Sequence, residues 1–119
     1  MLGRFKDHYQ RENGELVFLF DIEEEILKNE NVAQCKAVYS KTAAGGQLIA
    51  YIVFRSGTVD KMAVLKHIHR HLVDTLPEYM VPEHYKIRTA MPVHNNGKMD
   101  VAALRNDREE LIPAERLRL

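Results

Sequence analysis

Apolar and polar residues alternate with two different periods along this 119-residue chain, and the switches between them mark out its elements. After a polar opening, Met1 to Asn13, the pair Asn13-Gly14 signals a turn. It leads into Glu15-Leu-Val-Phe-Leu-Phe20, a short strand-like run. Asp21 reads as a helix N-cap, with Glu23 to Glu25 in the first turn, where the helix dipole favours acidic groups. Ile22, Ile26 and Leu27 give that helix an apolar side, and it is expected to stop near Asn29 to Asn31. Val32 to Ser40 alternates like a strand, with Val32, Gln34, Lys36 and Val38 on one face and Ala33, Cys35, Ala37 and Tyr39 on the other. Lys41 to Gln47, with Gly45-Gly46, reads as a flexible connection. Leu48-Ile-Ala-Tyr-Ile-Val-Phe54 is nearly continuous in apolar residues. That predicts a central strand covered on both faces, paired antiparallel with the one before it.

Asp60 opens the strongest helical pattern, running to about Thr75, with Leu65, Ile68, Leu72 and Leu76 as its buried stripe. Pro77 ends it, because a residue before proline is driven out of the helical region. Glu83 to Thr89 predicts a third strand with Tyr85 and Ile87 on one face. Asn96-Gly97 marks another turn, and Asp100 is placed to cap a short helix, Val101 to Arg105. The charge-rich tail, Asn106 to Leu119, is read as frayed or helical. The element order predicts a small α+β domain. Its core is a three-stranded antiparallel sheet with helices packed on it, preceded by a short N-terminal strand or hairpin.

Charge narrows the function classes. Seventeen basic and seventeen acidic residues cancel, so no overall electrostatic footprint points to nucleic acid or an anionic membrane. One cysteine excludes an internal disulfide framework, and no apolar run is long enough to span a bilayer. A cytoplasmic protein with neither nucleic-acid nor membrane partners is expected. Cys35 lies in an apolar run and reads as an inert buried thiol.

Few residues offer chemistry by themselves. His67 and His71 stand four apart on one helical face, a zinc-compatible spacing, while His69 points elsewhere. No cysteine or acidic residue nearby in sequence completes a site, so a solvated polar face is preferred and no metal site is assigned. Ser40 and Ser56 lack a nucleophile-elbow context, and no Gly-rich phosphate loop is present. Two segments stand out. Leu76-Pro-Glu-Tyr-Met-Val-Pro82 is a rigid joint, with Tyr79 and Met80 expected to pack inward. His94-Asn-Asn-Gly-Lys-Met-Asp100 sets an ammonium group, Lys98, at the tip of a tight turn with no acidic neighbour in sequence closer than Asp100.

Together these segments resemble the C-terminal lid subdomain of adenylate-forming ligases, in the form found in nonribosomal peptide synthetase adenylation domains. There the ninth core motif reads roughly L-P-x-Y-M-V/I-P and is matched in full. The tenth, N-G-K-V/L-D-R, is matched by Asn96, Gly97, Lys98 and Asp100, with Met99 a conservative change and Val101 in place of arginine. Asp21-Ile-Glu23 resembles the family's first lid helix. The resemblance implies an enzyme that joins a carboxylate to ATP, with Mg, and passes the acyl group to a carrier-protein phosphopantetheine thiol or to coenzyme A. It implies that Lys98, presented by Asn96 and Gly97, is the catalytic lysine, acting inside the large N-terminal adenylation subdomain. A lid of an acyl-CoA synthetase and a stand-alone, non-catalytic partner-binding protein are the alternatives.

The N-terminal end departs from the family. In one alignment Gly3-Arg-Phe-Lys6 is a degenerate hinge motif with Lys6 at the hinge. In the preferred one, Leu2-Gly-Arg-Phe5 continues an upstream G-D-L-x-R motif and Asn13 to Leu19 is the strand before a missing hinge. Residues 1–20 are thus expected to be a remnant of the joining segment, 21–105 the lid, and 106–119 a tail. Nothing resembles the family's phosphate loop, adenine site or acyl pocket. The chain alone is expected to be inactive and to bind no cofactor.

Overall fold

The computed structural model describes residues 8–11, 14–42 and 45–118. Leu2-Gly-Arg-Phe5, Lys6 and Asn13 lie outside the described residues. Strands β1 (His8–Gln10) and β2 (Leu16–Phe18) form an antiparallel hairpin. Its turn includes Gly14 at φ +90°, a conformation glycine adopts without a Cβ clash. β2 runs directly into α1 (Leu19–Leu27), so the helix starts before Asp21, which sits in the first turn instead of capping it. Leu19, Ile22 and Ile26 are all buried on one stripe. Burying Leu19 within the helical repeat outweighs the side-chain cap that a later start would supply. The helix ends where expected: Lys28 is its C-cap, and Asn29 Oδ1 accepts from the Asn31 amide at 2.9 Å.

β3 (Val32–Thr42) and β4 (Gly45–Phe54) form the antiparallel pair that the pattern predicts. Two details differ. A bulge between Val32 and Gln34 reverses the facing parity there. Val32 therefore packs with Ala37 and Tyr39 in the larger core cluster, whereas Val38 faces the other way. The expected flexible connection is mostly strand, because Lys41 and Thr42 pair with Gly46 and Gly45. Gly46 is required for that pairing: a Cβ there would lie 1.8 Å from the Tyr39 hydroxyl.

α2 (Lys61–Thr75) follows, capped as expected by Asp60, whose carboxylate accepts from the Ala63 amide at 3.1 Å. It returns the chain to β5 (His84–Arg88), which lies parallel to β4. The expected all-antiparallel, three-stranded sheet is thus a four-stranded mixed sheet, β3-β4-β5-β6. A helix between neighbouring strands carries the chain back to its starting end, which makes the second strand parallel to the first. β6 (Ile112–Pro113) pairs antiparallel with β5, so the tail is neither frayed nor simply helical. It ends in a short 3-10 turn, Ala114–Leu117, with Leu117 only 2% exposed.

β4 is central and buried on both faces, as its continuous apolar run predicts. Leu48, Ala50, Ile52 and Phe54 meet α1 and α2, joined by Tyr85, Ile87 and Met80. Ile49, Tyr51 and Val53 meet Leu104 of α3 (Val101–Asn106) together with Met91 and Met99. No helix of the described residues is long and apolar enough to cross a membrane.

Candidate functional site

The Lys98 turn is a small ribbon whose root is in the core and whose tip is in water. Met91 is buried and Met99 packs against the second core cluster, so both legs are anchored. The Asp100 amide donates to the Pro92 carbonyl at 2.8 Å, and Val93 bridges Met99 antiparallel. One rung higher, the His94 amide donates to the Lys98 carbonyl at 2.7 Å, and the Gly97 amide to the His94 carbonyl at 2.9 Å. Gly97 sits at φ +86°. Asn96 does not share that conformation; instead its side-chain oxygen accepts from the Lys98 amide at 3.0 Å. Asn and Gly thus divide the work, Gly97 turning the chain and Asn96 fixing the lysine's own backbone. Just beyond, Asp100 Oδ1 accepts from the Ala103 amide at 3.0 Å, the expected cap of α3.

The Lys98 side chain is exposed, and no described residue offers its ammonium an ion pair. A rigid root beneath an uncommitted cation is suited to meeting an anion supplied from outside the domain.

The proline-bracketed segment is the predicted joint. Leu76 is extended before Pro77, Glu78–Met80 form one 3-10 turn, Met80 is buried and Tyr79 half-buried. Its partner was not legible in the sequence. Arg11, from the loop of the N-terminal hairpin, donates through Nε to the Tyr79 carbonyl at 2.9 Å and pairs with Glu83 at 3.1 Å. The same Glu83 oxygen accepts from the Leu48 amide at 3.0 Å. Hairpin, joint and central strand are therefore tied at one point.

The AMP-binding enzyme C-terminal domain model matches residues 21–98, from the first turn of α1 to the lysine itself. The chain belongs to that family. Among curated proteins, it is 36% identical over 104 residues to bacitracin synthase 3 of Bacillus licheniformis, covering 87% of this chain and 2% of that one. It is 29% identical over 113 residues to a D-alanine–D-alanyl carrier protein ligase of Streptococcus agalactiae, covering 90% of this chain and 22% of the ligase. Among solved structures, ATP-bound MatB from Rhodopseudomonas palustris matches with a TM-score of 0.71 at 22% identity, over 85% of this chain and 20% of that one. The AMP-binding C-terminal domain thus spans a small fraction of the length of each relative. The family resemblance read from the two late motifs is borne out.

Elsewhere in the domain, His71 Nε2 lies 2.8 Å from Glu25 Oε1, joining α2 to α1, with His67 lining the same shallow depression. Among the described residues no group of three or more His, Cys, Asp or Glu is placed to hold a metal ion. His69 is 7% exposed, and its Nδ1 lies 2.8 Å from the Tyr85 hydroxyl. Burial, with help from Arg118, pushes the His69 pKa down, and burial pushes Tyr85 up. Cys35 is half-buried and donates to the Glu23 carbonyl at 3.5 Å. Burial, reinforced by the Glu23 carboxylate, pushes its thiol up to about 12, consistent with an inert thiol.

The tail carries a second network that charge content alone concealed. Asp107 pairs with Lys86 at 3.0 Å and with Arg88, while its carbonyl accepts from the Tyr51 hydroxyl at 3.0 Å. Arg108 donates to Ser40 at 2.9 Å and to Gln47. A signal for this docking was present: Leu111, Ile112 and Leu117 punctuate the charged tail as a strand and a turn would.

Proposed function

We propose that this chain is the lid of an AMP-forming ligase that activates a carboxylate with ATP, and that Lys98 is its catalytic lysine. Carried into the site of a large N-terminal adenylation subdomain, the ammonium neutralises charge as a carboxylate oxygen attacks the α-phosphorus and pyrophosphate departs. ATP is the substrate, taken with Mg2+ as its counter-ion, and the lid's part in the step is the Lys98 ammonium. The lid then rotates away, and the acyl group passes to a phosphopantetheine thiol.

The observation that carries this reading is the exposed, uncommitted Lys98 on a turn pinned by Asn96 and rooted in the core. The named relatives support it: a bacitracin synthase, a ligase of a D-alanyl carrier protein, and a structure holding ATP. One of those names, the carrier protein ligase, favours a carrier-protein thiol over coenzyme A as acceptor. The tie from Arg11 to Tyr79 and Glu83 makes the N-terminal hairpin part of the lid body. That supports the alignment with the pivot before His8 over the one that assigns β2 to the far side of the hinge.

In the intact ligase, Lys98→Ala should lower carboxylate-dependent ATP–pyrophosphate exchange by about 10²–10³-fold, the scale for one preorganised electrostatic group. Thioester formation from a supplied acyl-adenylate should change far less. Equal loss in both half-reactions would reject the catalytic role. Transfer to coenzyme A but not to a carrier protein would reject the acceptor assignment. The 119-residue chain by itself should catalyse no exchange.

A further inference from the structure

The loop that carries Lys98 leaves the sheet and returns to it at one place. β5 ends at Arg88, residues 89–106 hold the lysine ribbon and α3, and Asp107, the C-cap of α3, comes back over the same strand. There its Oδ1 lies 3.0 Å from Lys86 Nζ, and its Oδ2 pairs with Arg88. Arg88 also donates through Nε to the Ala90 carbonyl at 2.9 Å, so one guanidinium holds both the departing and the returning chain. From the central strand, the Tyr51 hydroxyl donates to the Asp107 carbonyl at 3.0 Å. Lys86 and Arg88 stand two apart on β5, beside Tyr51 and Val53 of β4, on the face that Met91, Met99 and Leu104 cover. The Lys86, Arg88 and Asp107 side chains are only 16%, 25% and 20% exposed, so water and salt screen these pairs less than a surface ion pair.

We propose that Asp107 is a positioning residue for Lys98: with Lys86 and Arg88 it clasps the neck of the 89–106 loop and fixes how the lysine ribbon stands on the lid. The apolar contacts of Met91, Met99 and Leu104 hold the loop down but are non-directional. The carboxylate sets direction, because charge-assisted hydrogen bonds to a planar guanidinium tolerate little rotation. The inference rests on Lys98 being the working residue, but its first test reads the loop alone.

That test is amide hydrogen exchange in the 119-residue chain. The His94 and Asp100 amides, which bond across the ribbon, report its opening. Asp107→Asn keeps the side chain's size and removes its charge, and should quicken exchange at both amides by about tenfold, the equivalent of one charged hydrogen bond lost. Leu117→Ala weakens the fold from the opposite face and should leave both amides unchanged. Unchanged amides in Asp107→Asn, or equal acceleration in the two variants, would overturn the proposal. In the intact ligase, Asp107→Asn should lower carboxylate-dependent ATP–pyrophosphate exchange by about tenfold through kcat, as a misplaced catalytic group does. The KM for ATP and thioester formation from a supplied acyl-adenylate should not change. In a Lys98→Ala background, Asp107→Asn should lower exchange no further. Equal loss in both half-reactions, or an added loss in that background, would also overturn the proposal. A Lys98→Ala ligase that keeps full exchange would instead refute the catalytic role and leave the amide result standing.

Discussion

Asp107 shows how a residue's chemistry is set by its neighbours. Burial alone would raise its carboxyl pKa, but the hydrogen bonds and charges of Lys86 and Arg88 outweigh that, and the group ends below its ordinary value. A carboxylate whose pKa is lower folded than unfolded stabilises the fold above the unfolded value near pH 4. That contribution disappears as pH falls through the depressed folded value. Urea midpoints of wild type and Asp107→Asn should therefore differ at pH 7 and converge as pH falls below about 4 and through the depressed folded value. A difference that stays constant all the way down the acid limb would mean the ion pairs are not its source. Glu25 is lowered in the same sense, first by its hydrogen bond from Lys28 and then, against burial, by His71. Only the Glu25–Lys28 pair, three apart, follows a local rule; Asp107 and Lys86 are twenty-one positions apart with none joining them.

At the scale of elements, caps were legible and starts were less so. Asp60 and Asp100 cap α2 and α3 as their positions predict, whereas Asp21 lost its cap role to the burial of Leu19. Asp60 carries a second demand, since it stands at φ +51°. Asp60→Ala should cost about 1 kcal/mol for the lost cap, while keeping the Cβ that Asp60 already carries at positive φ. Asp60→Gly should cost only a few tenths, because glycine tolerates the conformation and caps passably. Chemical denaturation of the two variants checks the order, and equal losses would contradict it. The bulge at β3 was illegible for a related reason: one extra residue reverses facing parity, and only the fit against β4 and α1 decides where it goes.

For the molecule as a whole, the tail is a structural member. Leu117 is buried against α2, β6 extends the sheet, and Asp107 and Arg108 fasten the second face. Removing residues 111–119 should lower unfolding stability by at least about 3 kcal/mol, the scale of one or two buried leucine-sized side chains. An unchanged thermal melt of the truncated chain would refute this. The helices, the β3–β4 pair, the double-sided burial of β4 and the residues of the Lys98 turn could all be read along the chain. Each of these is written in near-neighbour periodicity or in turn and cap chemistry. That β5 runs parallel to β4, that the tail joins the sheet, and that Arg11, Glu83 and Asp107 have the partners they have became visible in the folded chain alone. Those choices come from burying apolar surface between segments far apart in the chain, and the polar pairs follow from where that burial brings the backbone.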